Sequence, residues 1–301
     1  MRLAVLMSTY NGERFLCEQI DSILNQVCDC QVDLWVRDDG SKDGTCGILQ
    51  TYAEKGKLHW YSGENLKPAK SFLDLLKHCV GYDYYAFADQ DDVWYSDKLQ
   101  KGIDRIRNLS VPAISFANAH LVDRELNSLG RNVHRKPLYV DFYSVTCNAG
   151  VMGASMVFNS MLAKLIQSVP MPKNLIMHDY YIGVVCALHD GVILYDHVPC
   201  MDYRQHGTNV MGCSSSKWDA LKNRISLLTT KSPQTLDLMA SSICENYPDA
   251  PNREKWVWLR GVSRYRGSFA RAAKLAVDRR PKYNSWNMEI TWRICILLRN
   301  R

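Results

Sequence analysis

Residues 84–94 read Tyr-Tyr-Ala-Phe-Ala-Asp-Gln-Asp-Asp-Val-Trp, and no other stretch constrains the fold as tightly. A short apolar, aromatic run of this kind predicts a strand buried on both faces of a sheet. It ends abruptly in Asp89, Asp91 and Asp92, three carboxylates within four positions. Acids at the C-terminal end of a buried strand lie in the crevice where open α/β sheets bind ligands. Carboxylates crowded in this way repel one another and call for a cation, and hard oxygen donors suit Mg²⁺ or Mn²⁺. Taken alone, the segment also reads as a solvated acidic turn.

The surrounding pattern alternates. Strands are expected at Leu3–Ser8, Val32–Val36, Leu58–Tyr61, Tyr84–Ala88 and Ala113–Ala117, with helices at Phe15–Asn25, Thr45–Lys55, Ser71–Cys79 and Asp97–Asn108 between them. This rhythm predicts an α/β fold with a mostly parallel sheet flanked by helices. A polar connection over Asp123–Pro137 precedes a strand-like Val151–Phe158, helices at Ser160–Gln167 and Asp179–Leu188, and a strand at Val192–Leu194. From Lys217 onward no strand is expected. Trp258, Val262, Tyr265, Phe269, Ala272 and Ala276 recur at spacings of three and four, as on one amphipathic helix. The Gly/Ser-rich stretch Gly207–Ser216 suggests a loose boundary. A domain over 1–210 and a helical, basic extension over 211–301 follow from this reading.

Charge separates the same two parts. Residues 253–301 carry thirteen Lys and Arg against Glu254, Asp278 and Glu289, a net of +10, which leaves −4 for the first 252 residues out of the overall +6. The basicity belongs to the tail, and with it the question of an anionic partner drawn by net charge. The basic helix with Trp286, Trp292 and Arg293 either packs on the first domain or lies on an anionic membrane surface. Nucleic acid is excluded as a partner, because the larger part is acidic and carries no recognised binding motif. No apolar run reaches the length of a membrane span. The first ten residues read as a strand, too short for a signal-peptide core. Eleven scattered cysteines without a CxxC pair read as reduced thiols, Cys28 and Cys30 included, and point to the cytoplasm.

Two further strand ends resemble the first in chemistry. Ser8-Thr9-Tyr10-Asn11-Gly12-Glu13 follows the first strand, and Arg37-Asp38-Asp39-Gly40-Ser41-Lys42-Asp43-Gly44-Thr45 follows the second. Asp-Gly loops are ordinary turn chemistry, but three polar or acidic strand ends together describe a nucleotide- and metal-binding rim. No GxGxxG or GxxxxGK[ST] occurs, which weighs against dehydrogenases and P-loop enzymes. A sugar-1-phosphate nucleotidyltransferase would carry a Gly-rich basic loop after the first strand, where this chain has Ser-Thr-Tyr-Asn-Gly-Glu. A non-catalytic sugar-nucleotide or glycan-binding protein is the alternative from another class.

In their order and spacing these motifs resemble the family 2 inverting glycosyltransferases of the GT-A fold, nearest the bacterial rhamnosyltransferase-like branch. The resemblance extends through His178-Asp179 and Tyr203-Arg204-Gln205-His206-Gly207, over about residues 1–210. It implies transfer of a sugar, rhamnose or another hexose, from a UDP- or dTDP-linked donor. The implied acceptor is a glycan or lipid-linked oligosaccharide of a surface polysaccharide or O-antigen precursor. It places Thr9 and Tyr10 at the base and ribose, and Asp39 on the imide N–H of uracil or thymine, with Asp38 as the brace of the turn. Asp89 and Asp91 match the DxD motif, Asp91 on the metal and Asp89 on the ribose or a metal-bound water. Asp92 is a third carboxylate or a helix cap. Lys70 reaches a phosphate or is a surface lysine. Asp179 is the catalytic base or a helix N-cap, and His178 a second candidate or its orienter. His206 approaches the metal, or is structural. Gly150–Ala154 lets backbone approach the sugar.

Overall fold

The structure, a computed structural model, describes residues 1–148, 150–206 and 234–299. Its centre is a nine-stranded sheet. Strands β1 (Arg2–Thr9), β2 (Gln31–Asp38), β3 (His59–Ser62) and β4 (Tyr84–Ala88) stand side by side in the order β3-β2-β1-β4, all parallel. Leu3 to Met7 of β1 are wholly buried because alternate side chains enter different cores. Leu3, Val5 and Met7 meet Ile20 and Ile23 of α1 (Leu16–Leu24), whereas Ala4 and Leu6 meet Phe72 and Leu73 of α3 (Lys67–His78). Helix α2 (Thr45–Glu54) covers the β2–β3 edge with Leu49.

Beyond β4 the order continues β8-β6-β9-β5, with β7 (Ser128–Asn132) beside β6. Strand β8 (Val157–Asn159) runs antiparallel to both β4 and β6 (Ala113–Val122), and β9 (Val192–Arg204) runs parallel to β6. Six strands therefore point one way, while β5 (Val93–Trp94), β7 and β8 oppose them. Helices α4 (Lys98–Ile106), α5 (Phe142–Asn148), α6 (Ser160–Gln167) and α7 (His178–Leu188) complete the layers.

Some elements differ from the sequence reading. Val151–Phe158 is not one strand: a single 3₁₀ turn, Gly153–Ser155, precedes β8. The Gly153 N–H is given to Asp179 instead of a ladder, and the Ser155 hydroxyl donates to the Ala117 carbonyl. Strand β9 runs ten residues past Leu194, with register shifts opposite Ala117–His120. Inside the polar connection lies β7, and α5 was unforeseen.

The C-terminal segment forms α8 (Leu236–Asn246), α9 (Arg253–Val262), α10 (Phe269–Ala276) and α11 (Trp286–Leu297). The single amphipathic helix expected over Trp258–Ala276 is instead α9, a 3₁₀ turn at Tyr265–Gly267 and α10. Ser263 turns its hydroxyl onto the Arg260 carbonyl, a local bond that competes with helix, and Ser268 is extended. The break keeps Tyr265 and Ala272 buried and turns Phe269 out to 65% exposure. Trp258, Tyr265 and Trp292 share one core with Phe142, Phe158 and Tyr181, so the apolar stripe packs on the sheet domain. Trp292 is 2% exposed and packs in the core, and the partly buried Arg293 donates to Glu289 and to the Ala276 carbonyl. The Gly207–Ser216 boundary and Lys217 lie outside the described residues. Among the described residues no helix is long and apolar enough to cross a membrane.

Candidate active site

Because β2, β1 and β4 are parallel neighbours, their C-terminal ends open on one side of the sheet. A cavity of about 640 Å³ lies there. Thr9, Tyr10, Asp39, Asp89, Asp91, His178, Asp179 and His206 all line it, as do Gly150 to Ala154. Lys70 does not; from the same segment Asn65, Lys67 and Pro68 line it instead.

The β2 end is held by its two aspartates in different ways. Asp38 is fully buried and accepts hydrogen bonds from Gly40 N (3.1 Å), Ser41 N (2.9 Å), Ser62 Oγ (3.2 Å) and Thr9 Oγ1 (3.2 Å), which makes it the brace of the turn. These bonds pull its carboxyl below the usual range against the opposing effect of burial. Gly40, at φ +85°, supplies the left-handed residue that this turn needs. Asp39 faces the cavity and pairs with Arg37, which is also 2.9 Å from Asp74. Its second oxygen accepts from Lys67 N (2.9 Å), and Lys67 itself has φ +67°, a costly conformation for a side-chain-bearing residue. The Asn65–Pro68 segment is thus shaped around Asp39.

The β4 end is tied to β1 and β9. Gln90 exchanges two hydrogen bonds with the Tyr10 backbone, 2.9 Å and 3.2 Å long, and Gln19 Nε2 donates to the Asp89 carbonyl (2.9 Å). Arg204, 1% exposed, donates from Nε to the Asp91 carbonyl (2.8 Å) and pairs with Glu18, with its guanidinium over the Phe15 ring. Its backbone N–H donates to Asp92 (3.2 Å), so Asp92 anchors the loop and does not cap α4, whose N-cap is Asp97. The sequence alone assigns Arg204 no role, although it lies within the Tyr203–Gly207 motif. A buried arginine gives no signal until its partners are placed.

Asp91 and His206 meet at 2.6 Å, and the His206 ring stacks on Phe15. Burial, together with the like charges of Asp91 and Asp179, pushes Asp89 up to about 7. Asp92 is pushed well above the carboxylate range by burial and by Asp91 and Asp89, and its Oδ2 is buried without a hydrogen-bond partner. Such a set carries excess negative charge that a proton or a cation must offset. Among the described residues no third ligand-type side chain closes on Asp91 and His206 as a tight cluster. One carboxylate and an imidazole, with remaining positions left to phosphate and water, suit Mn²⁺ better than Mg²⁺, which favours an all-oxygen shell.

Opposite these groups stands the start of α7. Asp179 lies inside the first turn, not at the N-cap, which is Met177. Its oxygens accept from Tyr180 N (2.7 Å) and Gly153 N (2.9 Å). A Cβ on Gly153 would stand 2.8 Å from His178 Nε2 and 3.1 Å from Asp179 Cβ, so only glycine fits. His178 is buried between Phe72 and Phe87, with ring centroids at 4.1 and 4.7 Å, and burial lowers its pKa to about 4. It is a neutral imidazole at pH 7.

Comparison with known proteins identifies the family. The family model for glycosyl transferase family 2 matches residues 4–160, more than half of the chain. A dTDP-rhamnosyl transferase, RfbG, from Shigella flexneri is 27% identical over 244 residues, covering 75% of this chain and 80% of that protein. A putative teichuronic acid biosynthesis glycosyltransferase, TuaG, from Bacillus subtilis is 31% identical over 44% of this chain, which spans about half (52%) of that relative. Among solved structures, S. aureus TarS 1–349 in complex with UDP superposes with a TM-score of 0.56 at 16% identity, covering 99% of this chain and 90% of that one. The mannosyltransferase PcManGT from Pyrobaculum calidifontis, in complex with GDP-Man and Mn²⁺, gives 0.50 at 16%, over 99% and 86%. The chain is a glycosyltransferase and belongs to glycosyl transferase family 2.

Proposed function

We propose that this enzyme is an inverting, metal-dependent hexosyltransferase acting on a dTDP- or UDP-linked sugar, with rhamnose the first candidate. Its acceptor would be a hydroxyl of a growing surface polysaccharide or O-antigen precursor. One observation carries the reading: a single cavity is lined by Asp39, Asp89, Asp91, His206 and Asp179 together. The names of the relatives RfbG and TuaG support the donor and the acceptor class.

In this reading Thr9, Tyr10 and Asp39 receive the nucleoside, with an Asp39 oxygen accepting the imide N–H. Asp91 and His206 would hold Mg²⁺ or Mn²⁺, which when bound offsets charge on the diphosphate leaving group. Asp89 takes the ribose hydroxyls or a bound water. Asp179, fixed by Gly153 N and Tyr180 N, accepts the proton of the acceptor hydroxyl as its oxygen attacks C1 from the face opposite the diphosphate. His178 stays neutral and packs against Asp179's helix turn without competing for that proton.

A panel of melting temperatures with UDP, dTDP and GDP, with and without Mn²⁺ or Mg²⁺, tests the donor end. Ligand at about a hundred times its Kd stabilises by roughly 2.7 kcal/mol, a shift of several degrees. A metal-dependent shift with one nucleotide, absent in Asp91→Ala, is expected. No shift with any of them overturns the reading.

For a lipid-linked acceptor, the exposed Phe269, Trp286, Met288 and Leu298 beside the basic helices would touch an anionic membrane at its cytoplasmic face. Flotation with anionic vesicles, compared with a Trp286→Ser/Phe269→Ser variant, checks this, and equal flotation of both ends the idea.

A further inference from the structure

A second group of ligand-type side chains lies at the opposite end of the sheet. The turn between α1 and β2 reads Cys28-Asp29-Cys30 and precedes the first residue of β2, whereas Asp39 follows its last. The structure sets this turn apart from the reduced thiols elsewhere in the chain. Cys28 Sγ and Cys30 Sγ are 2.8 Å apart, and one ligand atom from each of Cys28, Asp29 and Cys30 lies within 4.8 Å of the other two. Among the described residues no other three-residue group meets that condition. Both cysteines are half-buried against the edge of the core that holds Leu3 and Ile103.

The turn is held in place from outside. Val27 N donates to the Ser96 carbonyl (2.8 Å), Asp29 N to Gln100 Oε1 (2.8 Å), and the Asp29 carboxylate pairs with Arg107 at 2.6 Å. Gln100 lies in the first turn of α4, Ser96 two residues before the helix and Arg107 directly after it, so the two thiols are presented by a turn tied to both ends of one helix. A pre-shaped pair of sulfurs with an adjacent carboxylate is what a soft cation selects, while hard Mg²⁺ and Mn²⁺ prefer oxygen donors.

We propose that Cys28, Asp29 and Cys30 form a binding site for a thiophilic d¹⁰ cation such as Zn²⁺, separate from the site at the C-terminal strand ends. Binding replaces two S–H protons, which leave to solvent, by two metal–thiolate bonds. Asp29 turns from Arg107 to become the third ligand, and water takes the fourth position. Tetrahedral geometry with metal–sulfur bonds of about 2.3 Å requires the sulfurs to part by about 1 Å.

The probe is Cd²⁺ alone, added to the fully reduced, chelator-stripped full chain, read by the ultraviolet thiolate-to-metal charge-transfer band. One equivalent is expected to saturate the band. It should vanish in Cys28→Ser and in Cys30→Ser, weaken about tenfold in affinity in Asp29→Asn, and remain unchanged in Asp91→Ala. A second measurement needs no variant: Zn²⁺ should protect Cys28 and Cys30, and no other cysteine, from alkylation mapped by mass spectrometry. Absence of the band, its survival in Cys28→Ser, or alkylation unaffected by Zn²⁺ overturns the proposal. So does loss of both thiols to a disulfide in air with no metal uptake after reduction, which would make the pair a redox couple instead.

Discussion

His206 Nε2 lies 2.6 Å from Asp91 Oδ2, and this contact joins the end of β9 to the end of β4 across 115 residues of chain. It sets a prediction. His206→Ala removes the Asp91 contact and the stacking on Phe15, so the melting temperature of the free protein should fall modestly. The Mn²⁺ concentration needed for the nucleotide-dependent shift should rise about 10–100-fold, the usual loss when a ligand or its supporting partner is removed. Titrating Mn²⁺ at fixed nucleotide measures it. An unchanged midpoint would make His206 structural.

Arg204 acts on the same loop without reaching the cavity. Its guanidinium serves the Asp91 carbonyl, the Arg124 carbonyl and Glu18, and it is almost fully buried. Arg204→Met should strand those carbonyls, at a cost of about 3 kcal/mol. Glu18 is 54% exposed and finds water instead. Arg204→Lys should not rescue, since a single ammonium cannot serve three acceptors spread around a planar fork. Urea unfolding gives the stability, and a parallel Mn²⁺ titration should show weaker binding although Arg204 is no ligand.

Elements decided by local pattern are legible in the sequence, and those that are not share a cause. The Tyr84–Ala88 strand and the Ser160–Gln167 helix stand where periodicity put them, because local burial pattern decides such elements. The acidic strand ends meet because parallel order follows from alternation. What failed depends on distant partners. The strand expected at Val151 yields to a 3₁₀ turn because Asp179, 26 residues away, takes the Gly153 N–H. The long helix over Trp258–Ala276 breaks because the core accepts Tyr265 and Ala272 but not Phe269. Arg204 and the choice of Lys67 over Lys70 likewise become visible only once the chain is folded.

His178 makes a pH-dependent contribution that can be isolated. With its folded-state pKa near 4 and an unfolded value near 6.5, it is neutral in both states above about pH 7 and contributes nothing there. As pH falls through 6.5 the unfolded chain takes up the proton first, so folding weakens progressively down to about pH 4. The full loss is about 3 kcal/mol. Asp89 and Asp92 act in the opposite sense in the metal-free protein: both carboxyls are raised, so the folded state is protonated first and gains stability as pH falls, Asp89 through about 7. The difference between wild type and His178→Asn cancels those carboxylates. Urea unfolding at pH 7.5 and pH 4.5 should show the variant losing less on acidification, and parallel losses would mean that His178 is solvated in solution.

Gly153 offers the sharpest separation of acceptor chemistry from donor binding. Its N–H fixes Asp179 Oδ2 at 2.9 Å, and a methyl group there would stand 2.8 Å from the His178 ring. The turn cannot yield toward β8, since Ser155 is bonded to Ala117 of β6. Gly153→Ala should therefore move Asp179 while leaving Asp39, Asp91 and His206 in place at the other strand ends. Turnover should fall as it does in Asp179→Asn, by about 10²–10⁴ where a general base is lost. The metal-dependent melting shift with the matching nucleotide should persist in both variants. If instead both lose that shift, Asp179 holds the donor or its metal, and the base must be sought among the other groups lining the cavity, with His178 first because its neutral ring already lies beside the same turn.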